Sequence, residues 1–181
     1  MAHKAEAVAS YNFNPSDKLL LDTNIWLLVY GPQKPGDNRV AVYSQALSKI
    51  LSAQSRIYID VLIVSEFINT YARLKWNLWK TQSASTNDFK QFRKSGDFKP
   101  IAQDIAADVK RVLRHCTRIE NGFDSLAIDA LIDEYAAGDS DFNDQMLATL
   151  CKNEGLKLVT DDGDFKSQGV AVITANRRLL T

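Results

Sequence analysis

The sequence predicts an α/β domain built on a mainly parallel sheet. Short apolar segments alternate with segments of helical periodicity along the chain, the pattern of strand–helix–strand units. "KLLLD" at residues 18–22 carries three consecutive leucines, which reads as a strand buried in the middle of a sheet. Two later helical segments close on Gly138 and Gly155, and a strand-like segment, "LKLVTDD", follows the second.

The elements follow in order. Residues 1–17 read as a loose arm ending in a turn at "NPSD", and residues 18–22 as the first strand. "NIWLLVYG" begins a short helix, stopped by "GPQKPGDN". Over residues 39–53, Val40, Tyr43, Ala46, Leu47, Ile50 and Leu51 recur at helical spacing. "RIYIDVLIV" at 56–64 is rich in β-branched residues and reads in part as a strand. "SEFINTYARLKWNLWK" continues as a helix, and the polar stretch 81–100 as loop or short helices. Residues 101–119 predict an amphipathic helix with Ile105, Val109, Val112, Leu113, Cys116 and Ile119 on one face. "SLAIDALIDEYAA" and "DSDFNDQMLATLCKNEG" predict two more helices, and "LKLVTDD" and "VAVIT" the last strands.

The 181 residues make most simply one domain, long enough to bury a real core. Apolar residues at 45% and charged residues at 24% exclude a disordered or fibrous chain. Twenty-two basic residues balance 22 acids, so net charge implies no nucleic-acid partner, although a local patch can still provide one. Cys116 and Cys151 both fall on apolar faces of helical segments and read as buried free thiols in a reducing compartment. The N-terminal stretch lacks the apolar region of a signal peptide. Asp22 and Glu66 interrupt the longest apolar runs, so no membrane span is expected, and the expected location is the cytoplasm.

The acids stand out. Asp22 ends the first strand, Glu66 follows the second apolar run, Asp141 and Asp144 share one helix face, and Asp161, Asp162 and Asp164 follow "KLVT". Each has an ordinary reading. Asp22 alone is about an even bet as a turn former or N-cap. Asp141 suits an N-cap, with Ser140 a rival. Together they suggest more, because ligands of parallel sheets bind at the carboxyl ends of the strands. Carboxylates ~5 Å apart repel by roughly 3 kcal/mol per pair at an effective dielectric near 20. Protons or a hard divalent cation must offset this, and carboxylate oxygens suit Mg²⁺ or Mn²⁺. Between Arg118 and Lys152 there is no Lys or Arg, against eight acids. Such a site fits nuclease or phosphatase chemistry.

Four pieces, "LLLDTNIW", "VSEFINTYAR", "DFNDQMLATLCKNEGLKLVTDDGDF" and "VAVIT", resemble the PIN-domain nucleases, including the VapC-like toxins of bacterial toxin–antitoxin pairs. The resemblance covers roughly residues 18–175. It implies a three-layer α/β/α fold with a mainly parallel central sheet and helices on both faces. Residues 1–17 would be an N-terminal arm, and 18–181 a single domain with an aromatic and basic insertion around 75–100. Asp22, Glu66, Asp144 and Asp162 look like the catalytic, metal-binding acids, with Asp141 and Asp164 as accessory acids. Asn24 and Thr160 fall where the family orients its site. "TDDGDF" leaves open which of Asp161, Asp162 and Asp164 binds metal. The implied activity is Mg²⁺- or Mn²⁺-dependent cleavage of RNA by a metal-activated water, in a homodimer with a cognate antitoxin.

Two further readings bear on function. From Arg73 to Lys99, seven Lys/Arg and two Asp interleave with Trp76, Trp79, Phe89, Phe92 and Phe98. Lys75, Lys80, Arg93 and Lys94 are the candidate nucleic-acid contacts, the aromatics being either base-stacking platforms or core. His115 reads as a surface residue. The alternatives to a ribonuclease are a PIN-like module that binds RNA or protein without cutting, and a phosphatase of the haloacid-dehalogenase type. The latter needs a second Asp two residues after the first, where this chain has Asn24.

Overall fold

The structure, a computed structural model, describes residues 4–84, 86–138 and 141–181. Six strands form one sheet: β1 (Lys4–Ala7), β2 (Lys18–Leu21), β3 (Arg56–Ile59), β4 (Cys116–Arg118), β5 (Lys157–Val159) and β6 (Ala171–Thr174). Their order is β1-β6-β5-β2-β3-β4, and every pairing is parallel. Among the described residues the helices are α1 (Thr23–Tyr30), α2 (Asn38–Ser52), α3 (Val61–Ser83), α4 (Phe89–Arg93), α5 (Phe98–Arg114), α6 (Ile128–Ala136) and α7 (Phe142–Glu154). They cover both faces of the sheet, giving the three-layer arrangement.

β2 lies inside the sheet because both its faces are apolar. Leu19, Leu20 and Leu21 are each fully buried, and Leu20 pairs with Tyr58 on one side and Leu158 on the other. Burying such a side chain stabilises the fold by roughly 2 kcal/mol. The chain passes from β2 to β3 on one side, and β5 later pairs with β2 on the other. The order therefore reverses at β2, and a crevice opens above the carboxyl ends of β2 and β5.

Several expectations are corrected. Residues 1–17 are not wholly loose, because Lys4–Ala7 pairs with Ala171–Thr174 as the edge strand β1. The strand at 56–64 stops at Ile59, where Asp60 caps α3 by accepting from the Leu62 amide at 2.6 Å. The helix expected over 101–119 runs from Phe98 to Arg114, and Cys116–Arg118 turns away as edge strand β4 beside β3. Cys116 is thus a strand residue, while Cys151 does lie buried in α7. Burial pushes both thiols up to about 12, so they stay protonated and unreactive. Among the described residues, no helix is long and apolar enough to cross a membrane.

Candidate active site

Asp22 follows β2 directly, and its amide still donates to Val159 in the neighbouring strand, at 3.0 Å. It holds the N-cap position of α1, yet its side chain makes no capping hydrogen bond. Oδ2 instead accepts from Thr160 Oγ1 and from Asn24 Nδ2, each at 2.6 Å. Thr160 Oγ1 also accepts from Asn24 Nδ2 at 3.1 Å and from the Asp162 amide at 3.0 Å. One donated proton and two accepted ones exhaust this hydroxyl. Asn24 Oδ1 accepts from the Asp161 amide at 3.2 Å. Asn24 and Thr160 therefore tie the end of β2 to the loop after β5, and Asp22 is only 6% exposed. The Asn24 amide, committed to Asp22, cannot serve as the acid/base of a phosphatase.

Glu66 lies in the second turn of α3, on its exposed side, but its carboxylate turns inward and accepts from Thr23 Oγ1 at 3.1 Å. Thr23, the residue after Asp22, has a positioning role that the sequence reading missed. Asp141 caps α7 by accepting from the Asn143 amide at 2.8 Å; its rival Ser140 lies outside the described residues. Asp144 stands in the first turn of α7. Carboxylate oxygens of Asp144, Asp162 and Asp164 lie within 4.8 Å of one another. Asp162 and Asp164 are held close because Asp162 Oδ1 accepts from the Asp164 amide at 3.0 Å.

Asp161 points elsewhere. Its carboxylate is paired with Arg39 at 3.0 Å and accepts from Tyr43 Oη at 2.8 Å. Both partners lie on α2, about 120 residues away in sequence, and no local signal announces them. Of the three acids in "TDDGDF", the structure thus brings Asp162 and Asp164 to Asp144 and commits Asp161 to a structural tie.

The acids feel one another. Asp22 is pushed up to about 6, chiefly by burial, against the Thr160 hydrogen bond and with Glu66 and Asp162 adding repulsion. Asp144 is pushed up to about 7, first by burial and then by Asp22, Asp162, Asp141 and Asp164. Glu66 is raised by desolvation, the Thr23 hydrogen bond opposing and Asp141 and Asp162 adding to the shift. Asp144 therefore shares one field with Asp22, Asp141, Asp162 and Asp164, and Glu66 is coupled to Asp22, Asp141 and Asp162. A set of carboxylate oxygens at this spacing fits a hard divalent cation.

A model of the PIN domain matches residues 19–171 of this chain. The chain belongs to the PIN-domain family. Among solved structures, the PIN domain here is similar to VapBC2 from Rickettsia felis, seen bound to a DNA fragment from its promoter. The TM-score is 0.55 at 16% identity, over 87% of this chain and 98% of that one. PAE2754 from Pyrobaculum aerophilum gives a TM-score of 0.47 at 17% identity, over 97% of this chain and 94% of that one. FitAB bound to an IR36 DNA fragment gives 0.45 at 18% identity, over 87% and 94%. No curated protein matches the chain.

The aromatic and basic segment of this PIN domain packs on itself. Trp79 and Phe92 rings lie 4.7 Å apart, Phe92 and Phe98 5.4 Å, and Trp76 and Phe89 5.6 Å. Phe92 is fully buried. These rings form a satellite core that fastens α4 to α3 and α5, which favours the core reading of the aromatics. Three of the four candidate cations lie over rings: Lys75 at 5.9 Å from Tyr71, Lys80 at 5.2 Å from Trp76, and Arg93 at 5.8 Å from Phe89. His115, expected at the surface, is half-buried. It stacks on Tyr30, with Nε2 3.1 Å from the Tyr30 hydroxyl.

Proposed function

We propose that this PIN domain is a divalent-metal-dependent endoribonuclease, the toxin of a toxin–antitoxin pair. The observation that carries the reading is the convergence of Asp22, Glu66, Asp144, Asp162 and Asp164 on the β2/β5 crevice, with Asp22 and Asp144 raised toward neutrality. Asp144, Asp162 and Asp164 would hold Mg²⁺ or Mn²⁺, with Asp22 and Glu66 completing the set and Asp141 contributing field. When bound, such a cation lowers the pKa of water and offsets charge that builds on a phosphoryl group. The chain's own part is positional. Thr160 and Asn24 hold the Asp22 carboxylate in one orientation, and Thr23 does the same for Glu66.

RNA as substrate, the cognate antitoxin, the homodimer and a cytoplasmic setting follow from the resemblance of the motifs to VapC-like chains. Lys75, Lys80, Arg93 and Lys94 are proposed phosphate contacts. Phe123, Ile132 and Tyr135, exposed on and before α6, support an association surface for a second copy. The test is cleavage of single-stranded RNA with Mn²⁺ or Mg²⁺, lost in Asp22→Asn and in Asp144→Asn. No cleavage with either ion, or equal cleavage by both variants, overturns the proposal.

A further inference from the structure

Glu66 stands at the head of a polar stripe on α3. At ~100° per residue, Thr70, Arg73, Asn77 and Lys80 all lie within about 40° of Glu66 around the helix axis, and the stripe runs for about 21 Å. We propose that the RNA strand leaves the acids along this stripe, and that the Arg73 and Arg93 guanidiniums, gathered at the Phe89 ring, clamp a phosphate about 10 Å along the helix from Glu66. This rests on the ribonuclease reading above.

Two other flanks of the site repel a polyanion. The stretch between Arg118 and Lys152, which holds α6 and most of α7, has eight acids and no Lys or Arg. On the side of α1, a cavity of about 360 Å³ is lined by Asp37, Asp161 and Asp162 against Lys34 and Arg39, and Arg39 is already paired with Asp37 and Asp161. α3 offers the reverse. From Phe67 to Lys94 there are six Lys/Arg and one acid, Asp88, whose carboxylate accepts from the Gln91 amide to cap α4. Leu74, next to Arg73, borders the same cavity as Asn24 and Asp162, so the stripe still flanks the site at the level of Arg73.

The cations of this path are available. Arg73, Lys80 and Arg93 are exposed and make no salt bridge among the described residues. The guanidinium carbon of Arg73 stands 4.7 Å from the Phe89 ring centre, and that of Arg93 5.8 Å from the same centre. The ring is half-buried and packs on Trp76 at 5.6 Å, so it fixes where both cations sit. Two like charges at one ring repel, and an anion between them reverses that cost. A guanidinium stacked on a ring keeps its N–H edge for paired hydrogen bonds to phosphate oxygens. Lys75 is turned half-way round the α3 axis and leans over Tyr71, so a phosphate held by it lies off this path.

The test follows binding of a fluorescent single-stranded RNA, about 12 nucleotides long, to the Asp22→Asn protein by anisotropy over a range of salt. Arg73→Ala should weaken binding about tenfold and flatten the slope of log affinity against log salt by about 0.7, the mark of one lost phosphate contact. Asn77→Asp, which adds a carboxylate to the stripe and removes no ring contact, should weaken it several-fold. Gln82→Asp, exposed on the far side of α3, should not. Unchanged affinity and slope in Arg73→Ala, or equal losses in Asn77→Asp and Gln82→Asp, overturn the inference. With Asp22 intact and Mn²⁺ present, Arg73→Ala should raise KM for RNA cleavage and leave kcat within about twofold. Cleavage with KM unchanged in Arg73→Ala overturns the path and leaves the ribonuclease reading standing. Binding that depends on Arg73, without cleavage by the intact protein, supports the path and overturns the ribonuclease reading.

Discussion

Thr160 donates its hydroxyl to Asp22 at 2.6 Å across 138 positions of sequence, and the same oxygen receives the Asp162 amide. Replacing it by valine keeps the shape and removes the polar atom. Thr160→Val should destabilise the fold by about 1–3 kcal/mol, because Asp22 stays buried with one partner fewer and the Asp162 amide loses its acceptor. The Asp22 pKa, already about 6, should rise further, since the Thr160 bond is what lowers it. Denaturant unfolding and carboxyl-carbon NMR titration measure the two effects, and Thr160→Ser should restore both. Unchanged values in Thr160→Val would show that the hydroxyl does not hold Asp22.

Stability without metal should fall as pH rises. The folded pKa values of Asp22 and Asp144 are about 6 and about 7, against 3.8 for the free side chain, and Glu66 is also raised. Between these limits the folded chain binds more protons than the unfolded one, so stability declines from about pH 4 to pH 7. Below that window the acids are protonated in both states and carry no penalty. With EDTA, Tm should drop by about 10 °C or more across the window. Mn²⁺ should restore it most strongly at the high end, because there it replaces protons that are absent. A flat EDTA profile would mean that the acids are not coupled.

The divergent contacts of Asp161 and Asp162 separate two neighbouring carboxylates. Asp162→Asn should weaken Mn²⁺ binding by at least about tenfold, the scale of a disturbed metal shell. Asp161→Asn should leave Mn²⁺ affinity within about threefold and instead lower Tm, because it loosens the tie to Arg39 and Tyr43. Isothermal titration with Mn²⁺ on both variants decides the matter. The reverse order of affinities would assign the ligand to Asp161.

Phe92 is fully buried between Trp79 and Phe98. Phe92→Ala should cost about 3–5 kcal/mol and release α4, seen as lost amide protection over residues 89–98. If these rings instead stood ready to stack on bases, the variant would lose RNA affinity with little loss of stability.

Much of this protein was legible in its sequence. The leucines of "KLLLD" marked the inner strand, because a strand covered on both faces must be apolar throughout. The spacing of α2 and α7 was likewise plain, since each buries one face against the sheet. The two edge strands escaped notice for the complementary reason. "KAEA" and "CTR" have one side open to solvent, so they lack an apolar signature. Cys116 accordingly read as the end of a helix.

The sequence by itself determined which residues were chemically costly: acids at strand and helix ends, with no Lys or Arg between Arg118 and Lys152 to offset the eight in that stretch. It could not determine where each carboxylate points. That was decided when β5 came to lie beside β2, bringing Thr160 to Asp22 and its neighbour Asn24, and when α2 packed so that Arg39 and Tyr43 captured Asp161. The cause is physical. An Asp in a turn has the same local preferences whether it caps, pairs or binds, and only partners more than a hundred residues away make one of these outcomes lower in free energy.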